Sequence, residues 1–310
     1  MNTATRPVLE NRRPETPVSV IPRPAWLSEK LFPFVSRKME VDDTSLHYLD
    51  EGTGPVLFMV PGTPMWTFMY RKLIQELRDE FRCVAVDLPG LGLSEAPLYE
   101  GKAFTRAADL LQMFVRRLDL QDVTLVAQTT AGPPALEMAV REQSRIRALV
   151  LSNSFAWAPE HASLKRFARV VGNPVFAFLN VRLNLLPRMA LRAGRRNGPF
   201  STEEQAAIIG PFHNKRTREH LQNYANGIRG EQEMFRSLPS RLAAIHQKPA
   251  LFLEGAYSDG FKAGLLKKWE QLLPNHKTVV LLESGHFLLE DQPDRYAAEL
   301  KLWFNKNIRG

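Results

Sequence analysis

Short apolar runs alternate with longer amphipathic stretches along most of the chain. The runs are Ser45–Leu49, Val56–Val60, Cys83–Val86, Val123–Ala127, Ala148–Leu151, Ala250–Leu253 and Thr278–Leu282. Several are unbroken Val, Leu and Phe, as in strands buried on both faces of a parallel sheet. Between them, Thr67–Arg78, Phe104–Leu118, Pro133–Arg141, Gly264–Leu273 and Asp294–Asn305 carry apolar residues at helical spacing. Strand–helix alternation with crossovers of this length predicts a doubly wound, mostly parallel α/β sheet.

Two stretches leave the alternation. Residues 1–24 hold Pro7, Pro14, Pro17, Pro22 and Pro24 with little apolar content, which reads as an extended or disordered arm. From Asn153 to Gln247 the pattern is helical, broken by Gly172, Pro174, Pro187, Gly198, Pro199, Gly210 and Pro211. A helical insertion between two strands is a natural cap over a sheet's ligand end. The predicted organisation is an arm over residues 1–36, an α/β core over 37–152 and 248–310, and a helical cap over 153–247 inserted after the sixth strand.

Composition narrows the class. Of 310 residues, 44% are hydrophobic and 24% charged, which allows a sizeable core and excludes global disorder. No apolar run reaches the ~18 residues needed to span a bilayer, and the N-terminus lacks a secretory pattern. The single cysteine, Cys83, excludes an intrachain disulfide and a cysteine-rich metal site and fits a reducing, cytoplasmic setting; its apolar run predicts an inert buried filler. The net charge is +8, and the stretch from Asn153 to Gln247 holds the whole excess, with fourteen Lys/Arg against six Glu and no Asp. The basic residues are scattered apart from Arg195 and Arg196, which reads as a solvated helical face. No nucleic-acid partner and no membrane contact through the basic cap is expected. The expected state is a monomer or homodimer, with no cofactor and no metal.

Four segments at strand ends carry the candidate chemistry. Pro61-Gly62-Thr63-Pro64-Met65-Trp66 follows Val56–Val60, and its turn can aim a backbone N–H into a cleft. Asp87-Leu88-Pro89-Gly90-Leu91-Gly92-Leu93-Ser94 reads as a structural loop, since the third glycine of a dinucleotide fingerprint is missing and Pro89 intrudes. Gln128-Thr129-Thr130-Ala131-Gly132-Pro133 runs from a strand through small residues into a helix, the layout of a nucleophile elbow. The backbone N–H groups of Thr130 and Thr63 would then form an oxyanion hole. Ser284-Gly285-His286-Phe287 follows the last strand, where a histidine can reach toward the elbow.

The order elbow, possible acid near residue 259, then His286 matches the α/β-hydrolase pattern. From about Ser45 onward the chain resembles the haloalkane dehalogenase and epoxide hydrolase branch of that superfamily. His47-Tyr48-Leu49-Asp50-Glu51-Gly52 resembles its opening, and Asp87 to Ser94 its Asp-x-x-Gly-x-Gly-x-Ser loop. Residues 61–66 resemble its oxyanion turn, 128–133 its Gln-Asp-Trp-Gly-Gly-Pro elbow and 286–291 its histidine segment. The resemblance implies an α/β-hydrolase fold. The departures fall on the chemistry. Thr129 stands where the family has its aspartate nucleophile, Thr130 where dehalogenases have a halide-holding tryptophan, and Thr63 and Pro61 where the turn has Asn and His. Ser258 stands at the acid position with Asp259 one residue late, and Asn153 and Ser154 occupy the alternative acid site.

Alkyl halide or epoxide displacement needs a carboxylate that forms an ester, which Thr cannot supply. The expected function is a hydrolase-derived enzyme acting on a small hydrophobic, possibly acidic, substrate. In it His286 is a general base over the oxyanion hole, Thr129 a nucleophile or a substrate hydrogen-bonding group, and Asp259 the acid partner. Ester or lactone hydrolysis and lyase-, isomerase- or cyclase-like proton transfer stay open. The alternatives are an inactive ligand-binding protein of the fold, or dehalogenase likeness by descent only. Trp66, Met65, Gln128, Asn153, Trp157 and Phe176 are the expected substrate contacts, with Phe178, Leu179 and Leu183 as further pocket wall.

Overall fold

The computed structural model describes residues 18–193 and 195–309. Its centre is a nine-stranded sheet in the order β1-β2-β3-β5-β4-β6-β7-β8-β9. The strands are β1 (Ser19–Val20), β2 (Arg37–Val41), β3 (Thr44–Glu51), β4 (Val56–Val60), β5 (Arg82–Val86), β6 (Val123–Gln128), β7 (Ile146–Ser152), β8 (Ala250–Gly255) and β9 (His276–Leu281). The first three form an antiparallel edge, and β5-β4-β6-β7-β8-β9 are parallel.

Side-chain alternation divides the core into two layers. Val56, Phe58 and Val60 of β4 pack with Phe104 and Phe114 on one face. Leu57 and Met59 pack with Trp66, Tyr70 and Leu73 on the other. A strand buried on both faces has no polar register, which is why β4 reads as Val-Leu-Phe-Met-Val. The crossover helices supply the layers, with Ala103–Arg117 and Gly132–Arg141 on the first face and Arg71–Leu77 and Pro293–Phe304 on the second.

Between β7 and β8 lie helices Ala162–Val171, Pro174–Leu183, Leu185–Ala193, Thr202–Ile209, Lys215–Gly230 and Gln232–Arg241. β7 is the sixth strand counted from β2, and the seventh with the two-residue β1 included. Local caps set the breaks. Asn173 accepts from the N–H of Val175 with Pro174 in the first turn, Asn184 ends that helix in the left-handed region, and Ser201 with Glu204 forms a capping box.

Residues 1–17 of the expected arm lie outside the described residues. The described part is not a loose arm. β1 pairs with β2, and Leu27, Phe32 and Phe34 are buried, with Phe32 against Trp66 and Phe68. The proline-rich start is followed by enough apolar surface to be drawn onto the core. No helix among the described residues is long and apolar enough to cross a membrane.

Candidate active site

The parallel strands end on one edge, and three of those ends meet there. β6 stops at Gln128, and Thr129 turns sharply at φ 50°. Among the described residues it is the one β-branched side chain at positive φ; the other non-glycine cases are Asp and Asn. The elbow is strained, not relaxed. A Cβ built on Gly62, just past β4, would come within 1.7 Å of Thr129 Oγ1, so the turn after β4 and the elbow touch directly and only glycine fits. Ser154, just past β7, fixes the elbow from its other side by donating to the carbonyl of Thr129 at 2.9 Å.

The elbow forms the floor of a cavity of about 330 Å³, the low end for small-molecule sites. Thr63, Thr129, Thr130, Asn153, Trp157, Asp259 and His286, all named from the sequence as candidates, line it. Lining side chains that the sequence reading missed include Phe155, Leu164, Leu186 and Phe287. Leu221, Ala225 and Ile228 also line it, one face of the 215–230 helix at the i, i+4, i+7 spacing that could have pointed to them. Asp259 is its one carboxylate, and no Lys or Arg lines it among the described residues. An acidic substrate would therefore find no counter-charge in this lining.

Four expected contacts do not line the cavity. Trp66 and Met65 are buried in the second core layer, Trp66 donating its indole N–H to the carbonyl of Ala207 at 3.0 Å. Gln128 still belongs to the strand and is buried behind the elbow. Phe176 is half-buried outside the lining, while Phe178, Leu179 and Leu183 face solvent.

The expected oxyanion hole is filled by its own side chain. The N–H of Thr63 donates to Thr130 Oγ1 at 2.7 Å, and the two hydroxyls lie 3.0 Å apart. One hydroxyl must donate to the other, so the second keeps a proton for a further acceptor. A threonine O–H thus replaces the backbone N–H as donor on this wall.

His286 is brought to the cavity by a loop fastened on two sides. The amide of Asn153 donates to the carbonyls of His286 at 2.9 Å and Gly285 at 3.3 Å, and accepts from the N–H of Gly255 at 3.1 Å. Asn153 therefore secures the ends of β7 and β8 and the histidine loop, and its amide is used there, not on a ligand. Asp291 accepts from the N–H of Gly285 at 2.9 Å and from those of Arg196 at 2.8 Å and Asn197 at 3.0 Å.

The imidazole itself has no hydrogen-bond partner among the described residues, and none joins it to Thr129. Burial holds its pKa below the ordinary histidine range, with Asp259 pulling the other way by its charge. Asp259 is exposed at the cavity wall and acts through space only. The acid position itself is used structurally, since Ser258 Oγ caps the short 259–262 helix by accepting from Phe261 at 3.0 Å. One buried carboxyl escaped the sequence reading. Glu254 of β8 accepts from the N–H of Asn153 at 3.1 Å, and desolvation pushes its pKa up to about 8.

Known proteins converge on this architecture. The sequence profile of the alpha/beta hydrolase fold family matches residues 55–293. Haloalkane dehalogenase 2 of Mycobacterium tuberculosis is 33% identical over 87% of the chain and 95% of its own length. The cis-3-alkyl-4-alkyloxetan-2-one decarboxylase of Shewanella oneidensis is 27% identical over 88% of the chain and 89% of its own length. The crystal structure of haloalkane dehalogenase DbeA from Bradyrhizobium elkani shares the fold with a TM-score of 0.79 at 21% identity, over 87% of this chain and 97% of that one.

Proposed function

Because the chain belongs to the α/β-hydrolase family, on its haloalkane dehalogenase-like branch, we propose that it hydrolyses small apolar esters or lactones without a covalent ester intermediate. His286 is the general base, and the nucleophile is water. The observation that carries this reading is the state of His286, a half-buried imidazole whose pKa desolvation holds below its usual value, facing the cavity with no hydrogen bond of its own among the described residues. An imidazole that is neutral at neutral pH accepts a proton from water, and the spare hydroxyl proton of Thr63 or Thr130 steadies the carbonyl oxygen as charge builds on it. Water oxygen bonds to the carbonyl carbon as its proton passes to the imidazole; the tetrahedral adduct then breaks its bond from that carbon to the alkoxy oxygen, and return of the proton to the leaving alkoxide restores the base.

The apolar lining and the lack of a cationic contact support an uncharged substrate. The decarboxylase relative is named for an oxetan-2-one, a lactone with alkyl substituents, which supports the lactone as one class to examine first. Alkyl halide displacement is not proposed, since position 129 carries no carboxylate. A second reading, ligand binding without turnover, is favoured by the absence, among the described residues, of a carboxylate bonded to His286.

Purified protein assayed against short-chain esters and β- and γ-lactones is expected to form the hydroxy acid or alcohol, with His286→Ala inactive. Thermal stabilisation by the same compounds without product would favour the binding reading. Bromide release from 1,2-dibromoethane would overturn both.

A further inference from the structure

The helix Pro174–Leu183 is built inside out. Its buried residue is Asn180, which donates to Gln222 Oε1 at 2.9 Å and accepts from the N–H of Leu186 at 2.8 Å. Several of its apolar residues face solvent, with Val175 68%, Phe178 59% and Leu183 56% exposed. These positions and Leu179 fall at i, i+3, i+4 and i+8, one stripe of a helix. The neighbouring helix Ala162–Val171 continues the patch with Phe167 and Val170, and both helices pack on the 215–230 helix.

A patch of this kind on a surface otherwise rich in charge marks a docking site. Charge identifies its occupant. From His161 to Thr202 the chain has eight Lys or Arg and no Asp or Glu. Lys165, Arg166, Arg169, Arg182, Arg188 and Arg192 are exposed beside the stripe. An outward apolar stripe flanked by long cationic side chains matches an anionic bilayer surface, where rings enter the acyl boundary and Arg stems reach back to phosphates. A second copy applied to the same face would set cation against cation. Phe167 and Met189 are part of this exposed surface and of the cavity wall, so the cavity opens at the patch.

We infer that this face docks the protein on anionic membranes, placing the cavity mouth at the lipid surface for apolar ligands that reside there. The scatter of basic residues along the sequence favoured a merely solvated face; the outward stripe between them changes that reading. The docking stands whatever chemistry the cavity performs.

Co-sedimentation of the full-length protein with phosphatidylcholine vesicles, with and without phosphatidylglycerol, tests it directly. Binding is expected to the anionic vesicles only, weakening as salt is raised. Phe178→Ser with Leu183→Ser, both on the solvent side and expected to leave the melting temperature intact, is expected to lower the bound-to-free ratio by about tenfold. Arg166→Gln with Arg169→Gln should lower it further in low salt than in high. The inference is overturned if wild-type protein stays in the supernatant with anionic vesicles. It is also overturned if the serine variant binds as wild type does, or if those serines instead dissolve a dimer seen by light scattering without vesicles.

Discussion

A β-branched residue at φ 50° is disfavoured by on the order of 1–3 kcal/mol. Thr129 persists there because the elbow geometry is imposed from outside, by the β4 turn through Gly62 and by Ser154 on the carbonyl. Thr129→Asn, a residue that tolerates this region, is therefore expected to raise the melting temperature by roughly 2 °C. A lower melting temperature would mean that the threonine methyl contributes more packing than the backbone loses. For His286 the expectation concerns pH. The proposed base would work only when neutral, and desolvation lowers its pKa. The kcat/KM profile should therefore rise through a midpoint below about 6.5 and stay flat toward pH 8. Asp259 opposes the lowering, so Asp259→Asn should move that midpoint to lower pH. A midpoint above pH 7 would contradict the assignment. The sequence placed Thr129, Thr130, Thr63 and His286 together because each follows a strand in the same sheet. It could not reveal that Thr130 Oγ1 takes the N–H of Thr63, since that depends on a rotamer and not on spacing.

The histidine loop, the β4–β5 connection and the inserted helices are joined by buried charge. Arg71 donates to both oxygens of Glu290, at 3.0 Å for Oε2, and to Glu204 of the 202–209 helix at 2.8 Å. Lys72 lies 2.9 Å from Glu290, and Arg195 lies 3.3 Å from Glu204. Since Glu290 is fully buried, Arg71→Met would strand its charge and is expected to cost about 3–5 kcal/mol in urea unfolding. Adding Glu290→Met should recover most of that loss. A single-variant loss below about 1 kcal/mol would show that Lys72 alone balances the site. At this scale the sequence was uneven. Strands β4 to β8 were legible within about two residues because unbroken apolar runs leave few alternatives. β2 was not, because Arg37-Lys38-Met39-Glu40-Val41 is a half-exposed strand near the sheet edge with only alternate apolar residues. The sequence reading assigns Phe178, Leu179 and Leu183 to the pocket wall, and periodicity cannot tell which side of a helix is covered. The outward direction of the stripe on 174–183 follows from Asn180 binding Gln222.

Taken as a whole, the molecule keeps its family's sheet and the loops that locate a reaction centre, and lacks a carboxylate at both expected positions. Among its buried carboxyls, Glu254 points to a pH signature of the whole fold. Its folded pKa is raised from 4.5 to about 8, so the folded state holds a proton that the unfolded state releases. That contribution to stability is complete below pH 4.5 and is lost as pH rises to about 8. Wild-type protein should thus lose on the order of a few kcal/mol between those limits that Glu254→Gln does not lose. Parallel denaturation curves for the two at pH 5 and pH 8 would refute this. The most direct test of the central claim, a reaction that bypasses covalent attack by residue 129, is turnover of Thr129→Ala beside His286→Ala on whichever ester or lactone the wild type consumes. The account predicts that kcat of Thr129→Ala stays within about threefold of wild type while His286→Ala loses 100-fold or roughly more. Loss of turnover in Thr129→Ala comparable to that in His286→Ala would contradict it.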